Sequence, residues 1–300
     1  MSFTLYAWQW VRSFGSACSR LSLAFSSLHR KLKSNAKSFL LRRTEYPLQS
    51  IGQQQRLISF RNQLIPSIVY RVWVDDLFGR THASELLNFR LLNPGLEFRL
   101  FTHVDADHYM QEVWHDHPVC GIYGHSHFRP LMADIFRYCI LFERGGYYFD
   151  ISKGCSLPLY NLHQPFDRRM LSYETSFCSV MPELATASCF QYPNRYVIQW
   201  GFGFAPKDPI LERVINLICA YYPFFKGKTF EDPKSAILAF TGPGMFTKAV
   251  REIVQEEGKL EGAQAGVNFN GHGIPWMPGS EVRYHLSPPY VLARNAVIVS

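Results

Sequence analysis

Apolar and polar positions follow two periods along the chain, and the helical one is clearest at 131–144. Leu131, Ile135, Tyr138 and Phe142 recur at helical spacing, widened by Ile140 and Leu141, which predicts a helix over 131–144. Gly145-Gly146 ends it, because the residue past a helix end often needs the left-handed backbone that glycine tolerates. The aromatic run Tyr147-Tyr148-Phe149 then predicts a short buried strand, closed by Asp150. Upstream, 65–74 is a β-rich apolar run and reads as the first strand. A helix over 83–92 follows, stopped by Asn93-Pro94-Gly95, then a strand over 96–102 and a helix over 105–114. Downstream, 170–173 and 178–181 read as strands and 209–222 as a helix, and a last helix opens at Met245. The Gly- and Pro-rich stretches 268–273 and 274–279 read as loop. This order predicts an α/β fold with a mixed, mostly parallel sheet of Rossmann type, flanked by helices.

Asp134 and Arg137 lie three apart and share a face of the long helix, which by itself describes an ordinary surface ion pair. Asp150 sits where open α/β sheets place ligand chemistry, at the C-terminal end of a central strand. Taken together, Ala133-Asp134-x-x-Arg137-x-x-x-Leu141 followed by Gly145-Gly146-x-Tyr148-x-Asp150 resembles the sugar-nucleotide signature of glycosyltransferases with an Asp-x-Asp motif. The pattern is similar to glycosyltransferase family 32 and its kin, which include yeast α-1,6-mannosyltransferases, bacterial capsule glycosyltransferases and clostridial glucosylating toxins. The resemblance runs from about Leu64 to Val250. It includes Ile65-Pro66-x-Ile68 leading to Trp73, and Thr241-Gly242-Pro243.

The resemblance implies a GT-A-type, Rossmann-like nucleotide-sugar-binding fold over 64–300. The implied activity is transfer of a sugar from a UDP- or GDP-sugar donor to a glycan or lipid-linked acceptor, with retained configuration. Asp134, Arg137 and Asp150 would be the catalytic residues, with Asp134 and Arg137 on the sugar hydroxyls. Tyr148 and Gly146 would line the same pocket, and Trp73 would stack on the base. Thr241 and Gly242 would offer backbone N–H groups to the diphosphate at a helix N-terminus. The implied cofactor is Mn²⁺ or Mg²⁺, with Asp150, Ser152 and His272 as its ligands. The chain departs from the family at Ser152, where the second Asp of the motif is expected. A hydroxyl adds no charge, so three outcomes stand open. The metal is held chiefly by Asp150 and the donor phosphates, a C-terminal residue compensates, or the protein is an impaired transferase.

Charge changes the picture only at the N-terminus. The chain carries a net +7, yet residues 1–44 hold eight of its 31 Lys and Arg and no Asp or Glu. The other 23 basic residues face 24 acidic ones, so the body is neutral and no nucleic-acid partner is expected. Residues 1–63 read as a basic amphipathic leader and linker. No stretch reaches the ~18 apolar residues of a membrane span, and Arg12 and Arg20 interrupt any secretory signal core. A segment lying on an anionic membrane surface and an organelle transit peptide both fit. The expected placement is cytoplasmic and peripheral to a membrane through residues 1–44. Seven scattered cysteines without Cys-x-x-Cys fit a reducing compartment. A rival function rests on the cluster His103, Asp105, Asp107, His108, His115, Asp116, His117, His125 and His127, which would suit a metal-dependent hydrolase.

Overall fold

The computed structural model describes residues 45–47, 63–177, 190–280 and 292–300. Residues 1–44, most of the expected linker and the expected strand at 178–181 lie outside them. The first strand of the central sheet, β1 (Ile68–Trp73), is followed by α1 (Arg80–Leu92), β2 (Glu97–Thr102) and α2 (His103–Val113). Next come α3 (Pro118–Gly124), α4 (Arg129–Arg144) and β3 (Gly146–Phe149). Then β4 (Arg169–Phe177), β5 (Arg195–Val197) and β6 (Gly201–Phe204) lead into α5 (Pro209–Phe225). Finally α6 (Pro233–Phe240) and α7 (Pro243–Glu257) precede β7 (Ala263–Val267).

The seven strands form one sheet in the order β7-β4-β6-β3-β1-β2, with β5 beside β4. β1 runs parallel to β2 and β3, and β4 parallel to β7. β6 is antiparallel to both its neighbours and β5 is antiparallel to β4. The other strands all point one way, so the expected mixed, mostly parallel sheet is present. Alternation along the strands divides the core. Tyr70, Val72, Tyr148, Phe202 and Phe204 pack against α2 to α7, whereas Val69, Tyr147 and Phe149 pack against α1 and the segments after β3. Among the described residues no helix is long and apolar enough to cross a membrane.

Several elements go beyond the sequence expectations. Helix α3 falls within the His-rich stretch, because Val119, Cys120, Ile122 and Tyr123 are buried and Pro118 suits a first helical position. Helix α6 and strand β7 are likewise fixed by tertiary burial, with Ile237, Phe240 and Ala265 in the cores. The expected loop at 268–279 contains the short strand Gly273–Ile274, paired with Gly154–Cys155.

Candidate functional site

Helix α4 is the element that positions the site. It is buried from Asp134 through Leu141, so its two charged residues there must find partners inside the protein. Arg137 provides them. One terminal nitrogen of its guanidinium lies 3.0 Å from Asp134 Oδ1 and 3.1 Å from Asp150 Oδ1. The other terminal nitrogen donates to Gln199 O at 2.9 Å, and Nε donates to Ala133 O at 3.3 Å. The guanidinium also lies over the Tyr148 ring, 4.6 Å from its centroid. A planar fork of five donors is what lets one side chain hold two carboxylates and two carbonyls together.

Asp134 is closed in from behind. Thr241 Oγ1 donates to its Oδ2 at 2.9 Å. Tyr138 OH donates to Thr241 O at 2.8 Å, and Gln199 Nε2 donates to Tyr138 OH at 2.6 Å and to Thr241 O at 3.1 Å. Burial pushes the Asp134 carboxyl up to about 6, against the opposing pull of Arg137 and the Thr241 hydroxyl. Burial works against the charge on Arg137 too, but Asp150, Tyr148 and Asp134 outweigh it and hold the guanidinium above its usual value.

Asp150 is the open member of the cluster, with 29% of its side chain exposed. It starts a tight turn, 150–153, in which Lys153 N donates to Asp150 O at 2.9 Å. Every carbonyl of that turn is held from elsewhere in the fold. Arg71, from the middle of β1, donates to Asp150 O at 2.7 Å and Lys153 O at 3.0 Å. His82 of α1 meets Ile151 O at 2.9 Å, and Met277 N donates to Ser152 O at 2.7 Å. Burial lowers Arg71 to about 9, which still leaves it charged at neutral pH. The Asp150 carboxylate therefore sits on a rigid support, as a precisely used side chain requires.

The structure brings Asp134, Arg137, Tyr148, Asp150 and Thr241 into one cluster. Trp73 ends β1, and the pairing of Tyr70 with Tyr148 puts it at the sheet edge where the 150–153 turn lies. Other expectations are corrected. Gly146 is at the opposite end of β3 from Asp150, and it serves a close approach to Ile68 rather than a pocket. The N–H groups of Thr241 and Gly242 both donate to Ile237 O at 3.0 Å, closing α6, and Thr241 is fully buried. They are not available to a diphosphate.

The implied metal also meets a poor donor set. Mg²⁺ and Mn²⁺ want several oxygen donors, usually with one or two carboxylates. Asp150 is paired with Arg137. Ser152 is 1% exposed beneath the segment that carries Met277. His272 lies against Ser156, whose N–H donates to its carbonyl at 2.8 Å. Among the described residues no three His, Cys, Asp or Glu side chains converge on a metal position. With Asp150 as the one exposed carboxylate of the cluster, these residues do not by themselves make a complete protein ligand set for a divalent cation. The His-rich stretch does not build one either. Asp105 caps α2 with Thr102, His117 caps α3, and Asp107 accepts from Tyr123 OH at 2.6 Å.

Arg71, Gln199 and the Tyr138 hydroxyl were missed in the sequence. Arg71 had a signal: a charge inside an apolar strand run must be partnered when that strand is buried. Gln199 had none, since its role depends on β6 lying beside β3.

No family model matches the chain, and no curated protein does. Among solved structures it is similar to one described as PaToxG glycosyltransferase. The identity is 14% and the TM-score 0.45, over 75% of this chain and 85% of that one.

Proposed function

We propose that this chain is a GT-A-type glycosyltransferase that moves a sugar from a UDP- or GDP-sugar to a glycan or lipid-linked acceptor. The supporting observation is the pair of carboxylates, Asp134 and Asp150, held on one guanidinium at the C-terminal edge of the central strand. In the reaction the bond from the anomeric carbon to the diphosphate oxygen breaks, and its electron pair leaves with the diphosphate. The acceptor oxygen bonds that carbon, and its proton passes to the departing diphosphate oxygen. Asp134, as a carboxylate, accepts from a sugar hydroxyl, and Arg137 sets the angle of both acids. Asp150, the more exposed acid, faces the reacting end of the sugar. Retained configuration and a membrane position through residues 1–44 belong to the same proposal. A donor-binding relative with impaired turnover is the second reading, favoured by Ser152.

Titrating UDP- and GDP-sugars calorimetrically, with and without Mn²⁺, is expected to give binding for one nucleotide series. Asp150→Ala is expected to lower turnover by about a hundredfold or more, the scale of one lost electrostatic contact in an active site. A folded protein that binds neither series in either buffer overturns the proposal. Binding without turnover selects the second reading.

Donor binding is also expected to weaken as pH falls through about 6, where Asp134 takes up its proton. Asp134→Asn should remove that acid limb, and an unchanged limb would show that another group titrates. The effect on folding has the opposite sign. A carboxyl raised by burial contributes stability fully below its unfolded value of about 4, and loses that contribution as pH rises through about 6.

A further inference from the structure

A nucleoside diphosphate leaving from the Asp150 edge brings negative charge that must be neutralised, and the described residues offer cations there more readily than metal ligands. Three basic side chains meet the 150–153 turn. Arg137 is committed to Asp134 and Asp150. Arg71 is 4% exposed and holds the carbonyls of Asp150 and Lys153. Lys153 is placed differently. Its ammonium donates to Pro275 O, one of three donors an ammonium carries, and it lies 4.4 Å from the Trp276 ring centroid and 5.3 Å from that of Trp200. Among the described residues no carboxylate oxygen lies within 4.0 Å of it, although Asp150 and Glu174 act on it from farther away. Trp276, on the outer side, is 59% exposed, whereas Lys153 is half-buried, and burial lowers its ammonium below the usual lysine value.

Resting on the donor reading above, we infer that Lys153 neutralises the departing diphosphate in place of a divalent cation, so that nucleotide binding needs no metal. The geometry suits the task. Lys153 is three residues past Asp150, its position is set by the same turn that sets Asp150, and the two indoles confine its side chain. A lysine acts on phosphate as a point charge and can follow it as the bond breaks. Ser152 contributes through its main chain. Its backbone anchors Met277, and the segment so anchored supplies Pro275 O and Trp276 to Lys153.

Calorimetric titration of UDP and GDP in EDTA and in Mn²⁺ tests the inference, with Lys153→Gln and Lys153→Arg beside the wild-type protein. Glutamine keeps a donor for Pro275 O while removing the charge, which separates neutralisation from tethering of the 275–277 segment. Wild-type affinity is expected to agree between the two buffers within about threefold. Lys153→Gln should weaken binding in EDTA by about tenfold or more at an unchanged melting temperature, and Lys153→Arg should recover most of it. Wild-type binding that appears only with Mn²⁺ overturns the role of Lys153 and leaves the donor reading standing. Lys153→Gln binding like wild type in EDTA overturns it as well. Binding in neither buffer overturns both.

Discussion

Arg137→Met is expected to destabilise the protein by about 3–5 kcal/mol and to abolish turnover, because it leaves the buried Asp134 carboxylate, and with it the part-exposed Asp150, without their shared counter-charge. Arg137 is 5% exposed at its side chain and Asp134 is 8% exposed, so solvent screens little of this interaction. The loss should depend on pH. Without the guanidinium, Asp134 rises further above the value of about 6 to which burial already raises it. At pH 5.5 the acid is then neutral and the site relaxes as an uncharged hydrogen bond to Thr241. At pH 8 the full penalty of a buried charge applies. Urea unfolding at the two pH values should therefore show the larger deficit at pH 8. A deficit below about 1 kcal/mol at both would mean that the three groups are not coupled in the folded protein.

Gly146→Ala is expected to cost about 3 kcal/mol or more, combining a strained backbone with a steric clash. Gly146 has φ +102, a conformation that L side chains rarely adopt. A Cβ there would stand 2.7 Å from both the Ile68 carbonyl oxygen and the Ile68 side chain. The carbonyl belongs to β1 and cannot move without parting β1 from β3. Because Tyr148 and Asp150 continue from this strand, the variant should lose donor binding together with stability. Thermal melting and nucleotide titration of one preparation check this. Wild-type stability would show that the two strands can separate at little cost.

The same residue shows how far the sequence could be read. The Gly145-Gly146 pair was legible as a helix stop, and Gly145 does cap α4 with φ +65. The reason for the second glycine was not legible, because Ile68 lies far away along the chain. Asp134 and Arg137 were legible as one face of one helix, since a spacing of three is a local property. Asp150 was legible as a strand end for the same reason. In contrast, the Thr241-Gly242 turn read as a diphosphate cradle. Only the structure reveals that its N–H groups close α6 and that its hydroxyl serves Asp134, 107 residues away.

The sequence by itself determined the elements around the site, their order and hence the α/β class, because hydrophobic period and glycine stops act over a few residues. It also placed Asp134, Arg137 and Asp150 near one another through a single helix–turn–strand unit. Tertiary structure alone decided that one guanidinium serves both acids, that Arg71, His82 and Met277 hold the 150–153 turn, and that Ser152 is buried while Lys153 is half-buried between two indoles. Those choices depend on which distant strands and loops pack together, and the free energy that selects them comes from burying the whole sheet, not from any short stretch of the chain.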